Sequence, residues 1–230
     1  WSDDEGFAAD TAHLTISGVC GSGIVEVMAE LFLAGVITAD GVISGAMADR
    51  SPRVRPDGRT FSYALLDRPE QPLLITQADV RAIQLAKAAL RAGIDLLVER
   101  AHIEPSTLNY ASLAGAFGSH IDPLYAMVLG LVPDMAIEGV ASVGNAAGTG
   151  AVMALLSVAE RRRAEQIARS VIKIETATEP RFQELFVNAM AFPHKNAPTH
   201  YLAQYVTLPQ ASSSDSGTSD RPRRRRRPER

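Results

Sequence analysis

Hydrophobic positions recur at intervals of three and four through the middle of the chain. From Thr76 the sequence reads TQADVRAIQLAKAALRAGIDLLVER, which puts Val80, Ile83, Ala86, Leu90, Ile94 and Leu97 on one stripe. Arg81, Lys87, Arg91 and Glu99 fall mostly off it. This is the period of an amphipathic helix whose apolar stripe faces a core. Thr76 and Asp79 give it a capping-box start, with Asp in place of the usual Glu. The helix is expected to end near Arg100, because Pro105 bars continuation.

Shorter segments read similarly. AHLTISG, around His13, predicts a short strand, and Gly21–Ala34 predicts a helix with Ile24, Val27, Met28 and Leu31 on one stripe. Between them GVCGSG is a tight connection. GVISG near Val42 and TFSYALLD from Thr60 suggest a hairpin region. DRSPRVRPDGR between them reads as an exposed loop with a turn at Asp57-Gly58. NYASLAGAFG is a buried-looking strand ending in small residues. In IDPLYAMVLGLV, Asp122 is placed as an N-cap and Pro123 at the first helical position. GVASVG is the next strand, followed by a glycine turn and a long helix from about Ala147 to Ser170. VIKIET predicts a last strand, and EPRFQELFVNAM a last helix with Pro180 near its start. Strands alternating with helices predict an α/β layer fold.

Composition changes this picture in two places. The 230 residues, 46% hydrophobic, suffice for one good core or two small ones. The formal charge of −3 hides two regions. Residues 211–230 hold seven arginines and three acids, whereas the rest holds 16 bases against 23 acids. An acidic body argues against a nucleic-acid groove in the fold. The arginine block alone could attract RNA, but a run so poor in apolar residues more often stays solvated and disordered. Cys20 is alone, which suits a reducing compartment and rules out a cysteine-cluster metal site in these residues. GVCGSGIVEVMAELFLAGVI reaches membrane-spanning length but carries Glu26 and Glu30, each costing about 2–4 kcal/mol in a bilayer. The expectation is a soluble, cytoplasmic body, cut from a longer polypeptide.

SVGNAAGTGA, Ser142 to Ala151, is the densest small-residue stretch in the chain. It lacks the Gly-Lys-Ser/Thr of a Walker loop. Gly144, Gly148 and Gly150 do not have the G-x-G-x-x-G spacing of a dinucleotide fingerprint. Two readings stay open on spacing alone: a helix start that lies close against a neighbour, or one wall of a slot for a flat ligand. LAGAFGSHIDP has the same ambiguity. Both would put bare backbone at the C-terminal end of a strand, where open α/β sheets bind ligands.

Five blocks in order carry a more specific signal: GVCGSGIVEVMAEL, ITQADVRAIQLAKAALRAGIDLL, LAGAFGSHIDP, SVGNAAGTGAVMALLS and ETATEPRFQELFVNAMAFPH. From about Gly18 to His194 they resemble the C-terminal part of the ATP-dependent reductive activators of corrinoid proteins. Those are ferredoxin-linked members of the acetate and sugar kinase, heat-shock chaperone and actin superfamily. The resemblance implies an RNase H-like half of an actin-like ATPase fold, a mixed sheet flanked by helices. It implies residues 1–12 as a linker or cut domain edge, 13–208 as the ATPase portion and 209–230 as a disordered tail. SLAGAFGS looks like the adenosine motif, with Gly115 at its first glycine and Ala116 where a second is common. SVGNAAGTGA looks like the connecting hinge helix.

The implied nucleotide-site residues are Gly115, Ala116, Phe117, Gly118, Ser119, Gly144, Asn145 and Gly148, with Gly21, Ser22 and Gly23 beside them. The implied cofactor is ATP with Mg²⁺. No Asp-Gly phosphate turn stands in the right apolar context, so both phosphate motifs are expected upstream and this chain alone is expected to be inactive. A 2Fe-2S cluster needs four clustered cysteines and is expected only in an N-terminal domain outside this sequence. The implied function is to help a ferredoxin electron return a corrinoid protein from Co(II) to Co(I). The implied partners are that corrinoid protein, of a methyltransferase system, and an electron donor to the ferredoxin domain; a homodimer stays open and no membrane is expected. The rival reading is a non-catalytic module that docks a corrinoid protein or methyltransferase. An activator of a dehydratase would need more cysteines than Cys20.

Single residues keep their bland alternatives. Cys20 reads as a small buried packing residue more readily than a redox thiol, Ser22 as a helix cap, and Gly21 and Gly23 as a tight turn. His120 and Asp122 could meet a ribose or only solvent. Asn145 could bond a nucleotide or occupy a left-handed turn. His194 and His200 have no carboxylates or cysteines spaced to share a metal.

Overall fold

The computed structural model describes residues 15–68, 72–176 and 178–209. The expected linker, the start of the first strand and nearly all of the arginine tail therefore lie outside the described residues. The segment from Thr15 to Cys20 has no strand pairing, so the expected strand is absent where it can be seen.

Helix α1 runs Gly21–Leu33 and buries Val25, Met28, Ala29, Leu31 and Phe32. Its face is rotated by about one position from the predicted stripe, leaving Ile24 and Val27 only half-buried. After it, Ile37 and Ile43 form a single bridge in place of the first half of the expected hairpin. The hairpin itself lies further on. β1 (Val54–Asp57) pairs antiparallel with β2 (Thr60–Leu66), from Val54 opposite Tyr63 to Asp57 opposite Thr60. Gly58 makes the turn at φ +60°, as Asp57-Gly58 predicted. The proline-bearing loop reading hid β1, because Pro56 has no N–H and sits on an edge strand that needs none there. β3 (Leu73–Ile75) completes the sheet in the order β1-β2-β3.

Helix α2 spans Gln77–Arg100 and begins with the predicted capping box, Thr76 and Asp79 each bonding the other's backbone N–H. Beyond its first turn the buried face departs from the prediction, although Val80 is buried as expected. The buried set is Val80, Gln84, Lys87, Ala88, Arg91, Ala92 and Leu96, while Leu90 and Leu97 are exposed. Tertiary partners override the stripe. Gln84 Nε2 donates to the carbonyls of Asp40 and Met190. Lys87 Nζ, 1% exposed, donates to the carbonyls of Ala191 and Pro193 and stands 5.2 Å from the Phe192 ring centroid. Arg91 bonds Asp95 at 2.8 Å and the Val132 carbonyl at 3.3 Å. A polar ridge on α2 thus grips the turn around Phe192, and every member has a partner, as burial demands.

The chain continues through β4 (Ala111–Ala114), the four-residue turn α3 (Gly115–Gly118) and α4 (Pro123–Leu129). Asp122 caps α4, its Oδ1 accepting from Leu124 N at 2.7 Å, and Pro123 opens the helix as expected. β5 (Val140–Gly144) pairs parallel with β4, giving a two-stranded sheet separate from the first. The single long helix expected next is two: α5 (Ala146–Leu156) and α6 (Val158–Ser170). Ser157 breaks them with extended backbone, and its hydroxyl accepts from Glu160 N to restart the helix. VIKIET forms no strand; Ile172 is 87% exposed. α7 (Pro180–Ala189) follows as predicted and packs along α2.

The core lies between α1, α4 and the antiparallel sheet, around Met28, Phe32, Ile37, Met127 and Leu129. Phe32 tilts against Phe192 at 5.8 Å. Each such fully buried side chain contributes about 1.5–3 kcal/mol by leaving water.

Candidate functional site

The two glycine bends belong to neighbouring strands. β4 and β5 run parallel, and their last partners are Ala114 and Gly144. Parallel neighbours end at the same edge of a sheet, so Gly115–Ser119 and Gly144–Gly148 emerge side by side. Each bend uses a residue that only glycine supplies without strain: Gly115 at φ +95° and Gly144 at φ +60°. An added Cβ at either would point into open space, so these two glycines are needed for backbone shape and not for packing.

Other glycines are needed for room. A Cβ on Gly118 would lie 2.9 Å from the Leu113 carbonyl carbon, which holds α3 down on its own strand. A Cβ on Gly21 would lie 2.8 Å from the Phe117 ring. The first turn of α1 therefore abuts the loop after β4, and the segments Gly21–Gly23 and Gly115–Ser119 are brought together. Gly21 and Gly23 are helical, not the tight turn that the sequence suggested. Ser22 is not the cap either. The cap is Cys20, whose Sγ accepts from Gly23 N at 3.4 Å. Cys20 is exposed, against the expectation of a buried packing residue. Its thiol is shifted below the usual range by the hydrogen bond with Ser22 and then by the Gly23 N–H.

Asn145 caps α5, Oδ1 accepting from Gly148 N at 2.9 Å; its own φ of −78° leaves the left-handed turn to Gly144. Its Nδ2 amide has no partner among the described residues. Ser119 donates to the Ala116 carbonyl at 2.8 Å and lies 2.9 Å from His120 Nδ1, so His120 is occupied locally. Asp122 is spent on capping. Ala116, Phe117, Ser119 and Asn145 are exposed along this edge. The close helix packing expected of SVGNAAGTGA is not formed among the described residues: α5 buries none of its side chains, and Gly150 faces open space.

His194 and His200 share no ion. Among the described residues, no group of three or more His, Cys, Asp or Glu side chains could hold one. His194 instead anchors its own turn: Nδ1 accepts from the backbone N–H groups of Asn196 and Ala197. Its proton is then on Nε2, which has no hydrogen-bond partner among the described residues and lies 3.7 Å from Asp95. Burial, with Arg91 adding to it, pushes the imidazole pKa down to about 4.

Sequence reasoning missed the cavity behind β4. It holds about 420 Å³ and is lined by Leu90, Ile94 and Val98 of α2 together with Tyr110, Leu113 and Met135. The α2 stripe, read as core-facing, was the available signal. Among the described helices, none is long and apolar enough to cross a membrane.

The parallel pair ending in two bare bends, with a helix start pressed against one of them, belongs to a domain of the actin-like ATPase fold. A family model described as "C-terminal domain of RACo the ASKHA domain" matches residues 4–202, and the chain belongs to that family. It is 42% identical over 179 residues to "Corrinoid activation enzyme RamQ" of Eubacterium limosum, covering 74% of this chain and 30% of the relative. A solved structure titled "Reductive activator for corrinoid,iron-sulfur protein" superposes with a TM-score of 0.68 at 30% identity, over 78% of this chain and 29% of that one. The chain thus spans about a third of the length of these proteins.

Proposed function

We propose that this chain is the C-terminal ATPase half of a reductive activator, which uses ATP to help a ferredoxin electron return a corrinoid protein from Co(II) to Co(I). The observation that carries the reading is the meeting of the Gly115–Ser119 and Gly144–Gly148 bends at one sheet edge. It is supported by the family to which the chain belongs and by what the two relatives are named for.

The residues fit a nucleotide base better than its phosphates. The edge is open, poor in side chains and bounded by an aromatic ring, Phe117, that is 52% exposed. Phe117 would flank a purine and the Asn145 amide would donate to it. Gly115 and Gly144 keep the approach free of Cβ atoms. No lysine or arginine stands in either bend, so neither bend supplies a cation to the phosphates. Bound ATP would supply the free energy for domain movement. A 2Fe-2S cluster does not fit these residues, because one cysteine cannot hold it.

The test is ATP affinity by calorimetry on the full-length polypeptide. Gly144→Val and Phe117→Ala are each expected to weaken it about tenfold or more, with far-ultraviolet circular dichroism unchanged. A loss below about twofold in both would overturn the site. The isolated chain is expected to bind ATP poorly and to hydrolyse almost none; turnover by it alone would refute the placing of the phosphate motifs elsewhere.

A further inference from the structure

Phe117 is the one large side chain of the bend after β4. It belongs to α3, a four-residue turn that buries only Gly118, and it is 52% exposed. The turn by itself therefore does little to fix the ring. Phe117 also lines the cavity of about 420 Å³ behind β4, so open room lies beside it.

What bounds the ring is the first turn of α1. A Cβ added to Gly21 would stand 2.8 Å from Cε2 and 2.9 Å from Cδ2 of Phe117, well inside the 3.4 Å at which ordinary contact begins. Among the described residues nothing else lies within 4 Å of that Cβ. Gly21 is ordinary right-handed helix, so its backbone does not require glycine. The missing side chain serves one purpose in this fold, which is to let the Phe117 ring lie against the helix. That helix is a firm support. It buries Val25, Met28, Ala29, Leu31 and Phe32, and Tyr125 of α4 donates its hydroxyl proton to Glu30.

We propose that Gly21 is a positioning residue for the nucleotide: the first turn of α1 backs the Phe117 ring and holds it ready for the purine base. This rests on the function proposed above and adds how the ring is held. A ring fixed beforehand loses little freedom when a base stacks on it. A ring free to swing into the cavity must be ordered at the moment of binding, and that lost freedom weakens affinity. A side chain at Gly21 drives the ring off the helix, and the cavity gives it somewhere to go.

The experiment is a double-mutant cycle on the full-length polypeptide, with ATP affinity read by calorimetry in Gly21→Ala, Phe117→Ala and the two combined. Gly21→Ala alone is expected to raise Kd about fivefold, and the bulkier Gly21→Val to raise it further. Added to Phe117→Ala, Gly21→Ala is expected to change Kd by less than about 1.5-fold, since the ring through which it acts is gone. The thermal midpoint of Gly21→Ala is expected to stay level or rise, because alanine restricts the unfolded chain at a position whose backbone it tolerates. A helix merely damaged at its start would lower the midpoint and lose affinity in both backgrounds. A Kd unchanged by Gly21→Ala, or the same loss with and without the ring, overturns the positioning role and leaves the site standing. A Kd untouched by Phe117→Ala takes the ring out of the base contact and this role with it; a Kd untouched by Gly144→Val as well overturns the site.

Discussion

Two regions of similar apolar content behave in opposite ways. Around α1 and α4, Met28, Phe32, Met127 and Leu129 are at most 2% exposed. On α5, Leu155 is 74% and Leu156 80% exposed, and neither α5 nor α6 buries a single side chain. The difference is one of completeness. The first region closes its own core, with a sheet on one side and the polar ridge of α2 on another. The second is a parallel pair carrying two bare helices. Parallel strands are normally covered on both faces, so the free energy available from these apolar groups is not realised among the described residues.

The largest effects should separate the regions outright. Phe32→Ala and Met127→Ala are each expected to cost about 2–5 kcal/mol in urea unfolding of the chain, through lost burial and a residual cavity. Leu155→Ala and Leu156→Ala should each fall within about 0.5 kcal/mol of zero. A cost above about 2 kcal/mol for either leucine would show that the open edge is covered in solution.

Next comes the polar ridge. Arg91 and Asp95 are a buried i,i+4 pair, their side chains 7% and 20% exposed. Asp95→Ala would leave the guanidinium buried without its counter-charge, at an expected cost of about 3 kcal/mol, since removing one partner of a buried pair is severe. A near-zero cost would mean that Asp95 is not the counter-charge that holds Arg91 in the interior.

The same ridge sets a pH dependence. Burial, reinforced by Arg91 and opposed by Asp95, pushes the Lys87 ammonium down to about 7 from its ordinary 10.5. Between those values the unfolded chain holds a proton that the folded one has lost, so stability should rise with pH across that window. His194, pushed down to about 4, gives the same sign lower down: stability should fall as pH drops from about 6.5 to 4. In unfolding measured against pH, Lys87→Met should flatten the alkaline rise and His194→Gln the acid fall. Unaltered profiles would place these groups in water, not in the finished half.

What the chain disclosed in advance follows the same division. Caps were legible because they are local: Thr76 with Asp79, and Asp122 with Pro123, specify helix starts through residues no more than three positions apart. The strands β4 and β5 and their glycine bends were legible from short runs of small and apolar residues, Ala111–Ala114 and Val140–Val143, leading into Gly115 and Gly144. The face of α2 was not, because Leu90 and Leu97 look like core until the Phe192 turn supplies carbonyls for Lys87 and Gln84. Nor was the break at Ser157 seen, although Ser157-Val-Ala-Glu160 is itself a capping pattern; continuous helix propensity on both sides masked it. VIKIET shows the limit on the other side. Its strand propensity is not realised: residues 171–176 pair with no strand among the described residues.

The smallest expected effect tests the division most finely, because it compares two caps of the same chemistry. Asp122 caps α4, whose residues Ala126–Leu129 are in the core, while Asn145 caps α5 at the open edge. Each side chain satisfies a backbone N–H, a contribution of about 1 kcal/mol where the helix unfolds together with the rest. Asp122→Ala should therefore lower global stability by about that much. Asn145→Ala should lower it by less than about 0.3 kcal/mol, yet speed amide hydrogen exchange in residues 146–150, because a helix that opens on its own does not pass its cap energy to the global transition. Equal costs in the two variants would mean that the open edge and the finished core unfold as one unit, and the comparison between them would fail.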